Sequence, residues 1–193
     1  MKLNQTLKAN YLKPHNELFH RPRKHRGSVD ATLDSYKQIM RIKIEIAKRR
    51  QTRDCLNCVK HSDLWEEYFK YHENAELAIK KRIKKKQIYV ATSKSGKCVG
   101  SMCVIEEGCF GKFTYLSLIA VKRKHRGKGI GKKLLYKFEE IGFKKADTIF
   151  LLVSDFNEKA KSLYKKIGYK EVGSIPDLFK KEISESILMK QKI

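Results

Sequence analysis

The sequence predicts an α+β domain whose mixed, mostly antiparallel sheet is flanked by helices. Between residues 87 and 121, three apolar stretches are separated by short turns that contain glycine, which is typical of an antiparallel meander. The continuous apolar run Thr148–Ser154 is instead typical of a buried parallel strand. Apolar residues at helical spacing occur before, between and after these stretches.

The composition fits one folded domain. The chain has 193 residues, of which 41% are hydrophobic, enough for a single core. No apolar run approaches the roughly 20 residues of a membrane span, and the amino-terminal residues lack the apolar core of a signal peptide. We therefore expect a cytoplasmic protein without a membrane partner.

The formal net charge of +23 suggests a polyanionic partner, such as nucleic acid or the ribosome. The alternative is a compositional bias toward lysine at solvated positions. The basic residues are mostly Lys, whereas Arg is better suited to bidentate recognition of phosphate. A nucleic-acid partner is therefore possible but not favoured.

Residues 1–38 carry basic clusters and two of the three prolines, without a sustained apolar period. They are predicted to form a basic extension that is mobile or loosely docked, with a short helix near Ala31–Met40. The folded domain then spans residues 39–193. Its first strand is Met40–Ala47, in which apolar and charged residues alternate.

A helical hairpin is predicted after this strand, with Thr52 or Asp54 capping the first helix and Ser62 with Asp63 capping the second. Between residues 54 and 79 the chain carries six acidic and two basic residues, a local net charge of −4. A solvated helix face explains this pattern, and so does a rim that attracts a cationic amine. The predicted apolar faces consist of Leu64, Trp65, Tyr68, Phe69, Leu77 and Ile79.

Five cysteines, an odd number, argue against a disulfide framework. Cys55 and Cys58 form a C-x-x-C motif, which would be half of a zinc site if Cys98, Cys103 or Cys109 completed it. Along a regular strand, Cys98 and Cys103 would point to opposite faces of the sheet. Buried reduced thiols are therefore the favoured interpretation, and no metal is expected.

Turn residues, helix caps and apolar periodicity set the other boundaries. The predicted strands are Gln87–Thr92, Lys97–Glu106, Lys112–Val121, Thr148–Ser154, Tyr169–Ser174 and Ser186–Lys192. One helix is predicted from the glycines near residue 130 to about Ala146. A second runs from Asn157 to Ile167, where Gly168 is placed to end it.

The chain is organised around the segment Leu116–Gly131. It consists of a strand ending at Val121, a basic loop, and a helix entry marked by Gly127 and Gly129. Glycines let the backbone approach a ligand closely, and the first amides of a helix have no partner within it. Such a segment is an anion cradle, most naturally for a phosphate or pyrophosphate. It lacks the residues of a P-loop and of the dinucleotide fingerprint.

Two motifs resemble those of the GNAT N-acetyltransferases. Arg126, Gly129 and Gly131 match the Arg-x-x-Gly-x-Gly signature for acetyl-CoA, directly after a strand that ends in Val. Residues Asn157 to Tyr169 match the element N-x-x-A-x-x-L-Y-x-x-x-G-F/Y. The predicted order of strands and helices from about residue 40 to residue 193 is also the GNAT order.

The resemblance implies a fold in which the strand Leu116–Val121 splays from its parallel neighbour, with the pantetheine arm of acetyl-CoA in the gap. Backbone groups of Ile119 and Val121 would contact acetyl-CoA, and the amides that follow Arg126 would hold the pyrophosphate. The implied cofactor-binding residues are Ile119, Ala120, Val121, Arg126, Gly127, Lys128, Gly129, Ile130, Gly131, Asn157 and Tyr164.

The resemblance also implies two side-chain roles. Tyr164 matches the tyrosine that protonates the departing coenzyme A thiolate, although a packed aromatic would also explain it. Asn157 matches a residue that bonds the pantetheine arm, although it would also serve as a helix cap.

The general base is harder to place, because Tyr115, Ser117 and Leu152 occupy the positions at which relatives carry a glutamate. Glu106 and Glu107, at the end of a neighbouring strand, are the remaining candidates, with a surface turn as their alternative interpretation. His125 lies on the basic loop and is expected to face solvent.

These observations predict an N-acetyltransferase that moves the acetyl group of acetyl-CoA directly to an amine of a small molecule, peptide or protein. The predicted enzyme needs no metal and is a monomer or a homodimer. The alternative is a basic protein of the same fold that binds RNA or the ribosome and has weak or lost acetyltransferase activity.

Overall fold

A computed structural model describes residues 41–70 and 74–192 of the chain. The predicted basic extension at residues 1–38 and the predicted helix near Ala31–Met40 lie outside the described residues. The strands are β1 (Lys43–Ile46), β2 (Ile88–Thr92), β3 (Cys98–Cys109), β4 (Phe113–Val121), β5 (Thr148–Ser154), β6 (Lys170–Pro176) and β7 (Ser184–Gln191). The α-helices are α1 (Thr52–Val59), α2 (Ala75–Lys84), α3 (Ile130–Gly142) and α4 (Glu158–Lys166).

The strands form one sheet in the order β1-β2-β3-β4-β5-β7-β6. Only the β4–β5 pair is parallel among the described strands, and the other neighbours are antiparallel. This confirms the predicted α+β class with a mixed, mostly antiparallel sheet. In the described part of the chain, no helix is long and apolar enough to span a bilayer.

Helices cover both faces of the sheet, and each face has its own hydrophobic cluster. On one face, Leu134, Leu135 and Phe138 of α3 are fully buried against the sheet, together with Tyr164 of α4. On the other face, α1 and α2 pack their buried residues against β2 and β3. Side chains of β2 alternate between the two faces of the sheet, as expected for a strand. Ile88 and Val90 belong to the second cluster and Ala91 belongs to the first.

A β-bulge in β3 overturns one expectation about the cysteines. Thr92 pairs with Cys98 and Ala91 with Gly100, so Val99 is an extra residue in β3. The extra residue shifts the alternation of side chains, and Cys98 and Cys103 therefore lie on the same face, in the second cluster. The prediction that they point to opposite faces was wrong for this reason.

The helical hairpin differs in detail from its prediction. Thr52 is the first residue of α1 and its hydroxyl donates to the carbonyl of Arg49, whereas Ser62 accepts a hydrogen bond from the Trp65 amide as a cap does. The second predicted helix is divided into a π-helix, Trp65–Phe69, and α2. Leu77, predicted to be on the apolar face, is 47% exposed.

Candidate active site

A cleft opens where β4 and β5 separate. In the described chain, Leu116 and Leu151 are the last residues that pair across these two parallel strands. Ser117 is an extra residue in β4, since Leu116 and Leu118 pair with consecutive residues of β3, and this bulge coincides with the separation. Residues 117–121 and 152–154 then line opposite walls of a cleft of about 1130 Å³. The splayed pair is the feature that the family resemblance implied.

The edge of β4 presents backbone groups to this cleft. The Lys122 amide donates to the Val99 carbonyl at 2.9 Å, so this opposed pair on β4 and β3 is a hydrogen-bonded one. Hydrogen-bonded and non-bonded pairs alternate in an antiparallel ladder. The backbone groups of Ile119 and Val121 therefore point away from β3 and into the cleft, whereas those of Ala120 point to β3.

The glycine loop closes one end of the cleft. Gly127 and Gly129 have φ angles of +74° and +75°, which favour glycine, and Gly129 is the residue before α3. The Arg126 side chain braces the loop, because its Nε donates to the Val121 carbonyl at 2.9 Å. Arg126 and Gly131 line the cleft, and a methyl group on Gly131 would meet nothing closer than Val121 Cγ2 at 3.9 Å.

Two of the predicted loop residues point elsewhere. Lys128 and Ile130 line a second cavity of about 520 Å³ on the other side of the loop, and the Ile130 side chain is buried. His125 lines the same cavity and is half-buried rather than solvent-facing, contrary to expectation. Burial, followed by the nearby charges of Lys128 and Lys124, lowers the pKa of His125. The backbone amides of Lys128 and Ile130 remain candidates for the loop's anion cradle.

Tyr164 and Asn157 both line the cleft from α4 and the turn before it. Tyr164 is 6% exposed, and its burial raises the pKa of the phenol to about 12. Within the described chain, the Asn157 side chain makes no capping hydrogen bond, although Asn157 stands at the N-cap position. Its amide group is therefore available to a ligand in the cleft.

Glu106 and Glu107 are not brought to the cleft. Glu106 pairs with Lys145 at 3.1 Å, and its side chain is 54% exposed. Both residues lie on the distal part of β3, near the turn at residues 110–112, and neither lines the cleft wall. The structure thus favours the surface alternative for these two residues, and we do not assign the base to them.

A buried carboxylate that the sequence did not suggest lies in the cleft. Glu185 of β7 is 3% exposed, and its Oε1 accepts hydrogen bonds from Tyr68 Oη at 2.6 Å and from Ser154 Oγ at 2.7 Å. Burial and then the bond to Glu185 raise the pKa of Tyr68. The predicted last strand began at Ser186, which left Glu185 in a loop. The only sequence signal was a charged residue at the start of an apolar strand.

The acidic hairpin supplies two of its carboxylates to the cleft lining, Asp63 and Glu67. Glu67 also binds Lys180 at 2.5 Å. Three others form ion pairs: Asp54 with Lys122, Glu66 with Lys70, and Glu76 with Lys80.

Cys55, Cys58, Cys98 and Cys103 are buried, and Cys58 Sγ lies 3.8 Å from Cys98 Sγ. Among the described residues, no group of three or more His, Cys, Asp and Glu is placed to hold a metal ion.

Residues that form the cleft match a known protein family. The model of the acetyltransferase (GNAT) family matches residues 57–169, more than half of the chain. The chain belongs to the GNAT acetyltransferase family. The match covers the cleft walls, the glycine loop and α4, and members of this family use acetyl-CoA as co-substrate.

Curated relatives align with parts of this GNAT chain. The thialysine N-epsilon-acetyltransferase of Sus scrofa is 41% identical over 63 residues, which are 32% of this chain and 37% of the relative. An uncharacterised protein of Mycobacterium leprae is 30% identical over 105 residues, 54% of this chain and 29% of that protein. The chain therefore spans less than half the length of these relatives.

Solved structures share the GNAT fold over most of the chain. Ard1 of Thermoplasma volcanium is 18% identical with a TM-score of 0.66, covering 79% of this chain and 99% of that one. A chimera of spermidine N-acetyltransferase SpeG from Vibrio cholerae is 20% identical with a TM-score of 0.66, covering 78% and 95%. At these identities the likeness shows the fold.

Proposed function

We propose that this chain is an N-acetyltransferase that moves the acetyl group of acetyl-CoA directly to an amine. The observation that carries the proposal is the gap beyond Leu116 and Leu151, into which Ile119 and Val121 direct backbone groups that pair with no neighbouring strand among the described residues. The gap ends at the glycine loop, where the first amides of α3 have no partner within the helix. An extended chain with an anionic end fits such a cleft, and acetyl-CoA has that form.

The cleft residues fit acetyl-CoA in three places. The β4 backbone at Ile119 and Val121 would pair with the pantetheine amides, as a neighbouring strand would. The loop from Arg126 to Gly131 would hold the pyrophosphate with backbone amides, supported by the dipole of α3. The Asn157 side chain, which makes no capping bond within the described chain, would bond the pantetheine arm.

Tyr164 is the proposed acid. Its burial favours the neutral phenol, so the hydroxyl carries a proton at any physiological pH. The coenzyme A sulfur becomes negative as the thioester breaks, and Tyr164 would donate its proton to that sulfur. Direct transfer needs no nucleophile on the protein.

The proposed acceptor is an amine of a small molecule or peptide. Two observations support it: the acidic residues Asp63 and Glu67 line the cleft, and named relatives act on thialysine or spermidine. Thialysine and spermidine are therefore the first acceptors to assay, followed by a lysine-containing peptide.

Thermal unfolding with acetyl-CoA, free coenzyme A or ATP tests the cofactor site. A ligand at about 100 times its Kd stabilises the fold by ~2.7 kcal/mol, a shift of several degrees for a domain of this size. We expect the shift with acetyl-CoA and coenzyme A in the wild type, none with ATP, and none in Gly131→Glu. An equal shift with ATP, or no shift with acetyl-CoA, contradicts the proposal.

Gly131→Glu suits this test because we expect it to leave the fold intact. Gly131 is the second residue of α3 and has open space beside it, and an acidic residue in the first turn of a helix is favourable. The new carboxylate would instead repel the pyrophosphate. Substitution of Gly129 is less informative, because its φ of +75° would strain any other residue.

A further inference from the structure

Glu185 has no counter-charge among the residues that the structure describes. Among residues 41–70 and 74–192 it forms no ion pair, and its Oε1 is held by the two neutral hydroxyls of Tyr68 and Ser154. A buried carboxylate is costly to desolvate unless a cation or several hydrogen bonds compensate for it. Glu139, whose side chain is 12% exposed and thus less buried, has such a cation in Lys190 at 2.8 Å.

The cations that line the cleft do not reach Glu185. Lys180 is bound to Glu67, and Arg126 donates to the carbonyls of Val121 and His61. Lys159 also lines the cleft, and no bond joins it to Glu185 within the described chain. Around Tyr68 the other nearby charge is that of Asp155, which is also negative. The groups facing Glu185 therefore leave a position that favours a positive charge from a ligand.

The position of Glu185 suits the acceptor rather than acetyl-CoA. Ser154 and Glu185 are directly opposite each other on β5 and β7, three residues beyond the last β4–β5 pair. Glu185 thus stands on the β5 wall of the cleft, across from the β4 backbone at Ile119 and Val121. A ligand group at Glu185 would meet an acyl group held against β4.

Two aromatic rings pack against Tyr68, whose hydroxyl holds this carboxylate. The Tyr68 ring lies 6.0 Å from the ring of Phe179 in an edge-to-face arrangement and 5.9 Å from that of Phe156. Phe179 is 61% exposed, so its ring borders the solvent side of the cleft. The faces of aromatic rings attract cations, and they also pack against alkyl chains. The combination of a buried carboxylate and an aromatic border is complementary to an ammonium group on an alkyl chain.

We infer that Glu185, held by Tyr68 and Ser154, binds the ammonium group of a primary alkylamine and accepts its proton before acetyl transfer. This inference rests on the proposed function and names the base that acts in it. Tyr68 and Ser154 are positioning residues, since each acts by orienting Oε1 so that Oε2 is left for the amine.

Glu185 Oε2 takes one proton from the ammonium group, which leaves a neutral nitrogen with a free electron pair. That pair forms the C–N bond to the acetyl carbon, the C–S bond breaks, and its electron pair leaves on sulfur. Tyr164 gives a proton to the sulfur and regains one from the nitrogen. Glu185 returns its proton to water, so one proton is released for each amide formed.

Amine binding to the coenzyme A complex tests the site without turnover. The probes are butylamine, thialysine and spermidine at pH 7, with butanol as the neutral control, measured by calorimetry. We expect at least one of the amines to bind the wild type and butanol not to bind. Glu185→Gln should weaken the binding of that amine by about tenfold or more. Glu106→Gln, which removes an exposed carboxylate outside the cleft, should change nothing. The site is excluded if none of the three amines binds the wild type, or if Glu185→Gln binds them equally well.

Acetylation rates measured against pH separate a base from a structural residue. A primary alkylamine has a pKa of about 10.4, so the fraction that is neutral rises about tenfold per pH unit between pH 7 and 10. Glu185→Gln should lower kcat/KM for the amine by about 10²-fold at pH 7, and this deficit should shrink steadily toward pH 10. A deficit that is the same at every pH assigns Glu185 a structural role and overturns the inference.

The acetyl-CoA melting shift distinguishes this failure from failure of the proposed function. If Glu185→Gln keeps the shift and its amine kinetics match those of the wild type, only the inference about Glu185 fails. If the wild type itself shows no shift with acetyl-CoA, the proposed function fails, and the inference fails with it.

Discussion

Gly127 and Gly96 have the same left-handed backbone, with φ of +74° at both, and a methyl group at either position would meet no atom within 4 Å. Gly127 lies in the loop before α3, whereas Gly96 lies in the turn between β2 and β3. The two positions thus carry equal conformational demands in different surroundings. Substituting both glycines therefore separates the cost of backbone strain to stability from the effect of the loop on acetyl-CoA binding.

We expect Gly127→Ala and Gly96→Ala to lower the free energy of unfolding by similar amounts, about 1–2 kcal/mol each, because alanine is disfavoured at positive φ. Only Gly127→Ala should also weaken acetyl-CoA binding, because its strain shifts the loop that holds the pyrophosphate. Denaturant unfolding and calorimetric titration with acetyl-CoA measure the two effects. Equal acetyl-CoA affinity in both variants would show that the loop does not bind the cofactor.

Tyr164→Phe should lower kcat by about 10²-fold, the usual loss for a missing general acid, and leave the acetyl-CoA melting shift in place. Burial raises the pKa of Tyr164 to about 12, so the phenol holds its proton at every pH below that value. The wild-type kcat should therefore show no decline from Tyr164 ionisation up to about pH 11. Tyr89→Phe, on β2 and outside the cleft lining, is the control and should keep wild-type kcat. A Tyr164→Phe enzyme with wild-type kcat would assign Tyr164 a packing role.

Glu67 and Glu66 are adjacent on the π-helix but differ in their surroundings. Glu67 lines the cleft beside Lys180, whereas Glu66 pairs with Lys70 on the outside. Glu67→Lys should raise KM for a cationic amine by about tenfold, equivalent to ~1.4 kcal/mol, because it places positive charge at the cleft. Glu66→Lys should raise it by less than about threefold, because exposed charges are screened. Steady-state kinetics with the amine that the assay identifies give both values. Equal effects of the two substitutions would mean that KM depends on the net charge of the protein and not on the charge at the cleft.

The residues predicted to bind acetyl-CoA remain a prediction, but the sequence was sufficient to predict that several of them lie near one another along one cleft. Gly127, Gly129 and Gly131 lie within a few residues of one another, and Asn157 is at the N-cap of the helix that contains Tyr164, so local patterns place them. The apolar run at β5 likewise predicted its parallel position with the correct bounds, Thr148–Ser154. The geometry of a contiguous motif can be predicted from sequence, because the local backbone determines which groups face the ligand.

The acceptor half of the site could not be predicted in the same way. Glu185 and Tyr68 are 117 positions apart in sequence. No local sequence pattern indicates that the first residues of β7 contact the π-helix that carries Tyr68. Glu106 and Glu107 were the remaining candidates for the base because they were expected at the end of a neighbouring strand. They lie on the distal part of the long strand β3, outside the cleft lining. The bulge at Val99 similarly reversed the facing of Cys98, because one inserted residue changes the parity of a strand.

Lys190 of β7 and Glu139 of α3 form an ion pair at 2.8 Å whose side chains are only 17% and 12% exposed. Lys190 Nζ also lies 5.5 Å from the centre of the Tyr169 ring. Lys190→Met should reduce the free energy of unfolding by about 3–5 kcal/mol, because it leaves the Glu139 carboxylate largely buried without its cation.

The pair Lys80 and Glu76 on α2 is the matched control, since both side chains are more than 40% exposed at a similar distance of 2.8 Å. Lys80→Met should cost no more than about 1 kcal/mol, the usual range for exposed pairs. The double variant Lys190→Met/Glu139→Leu should recover much of the loss from Lys190→Met, because it removes the buried charge as well. Urea unfolding with an unchanged m-value measures all of these variants. If Lys190→Met costs no more than Lys80→Met, water reaches Glu139, and the link between α3 and β7 rests on apolar packing alone.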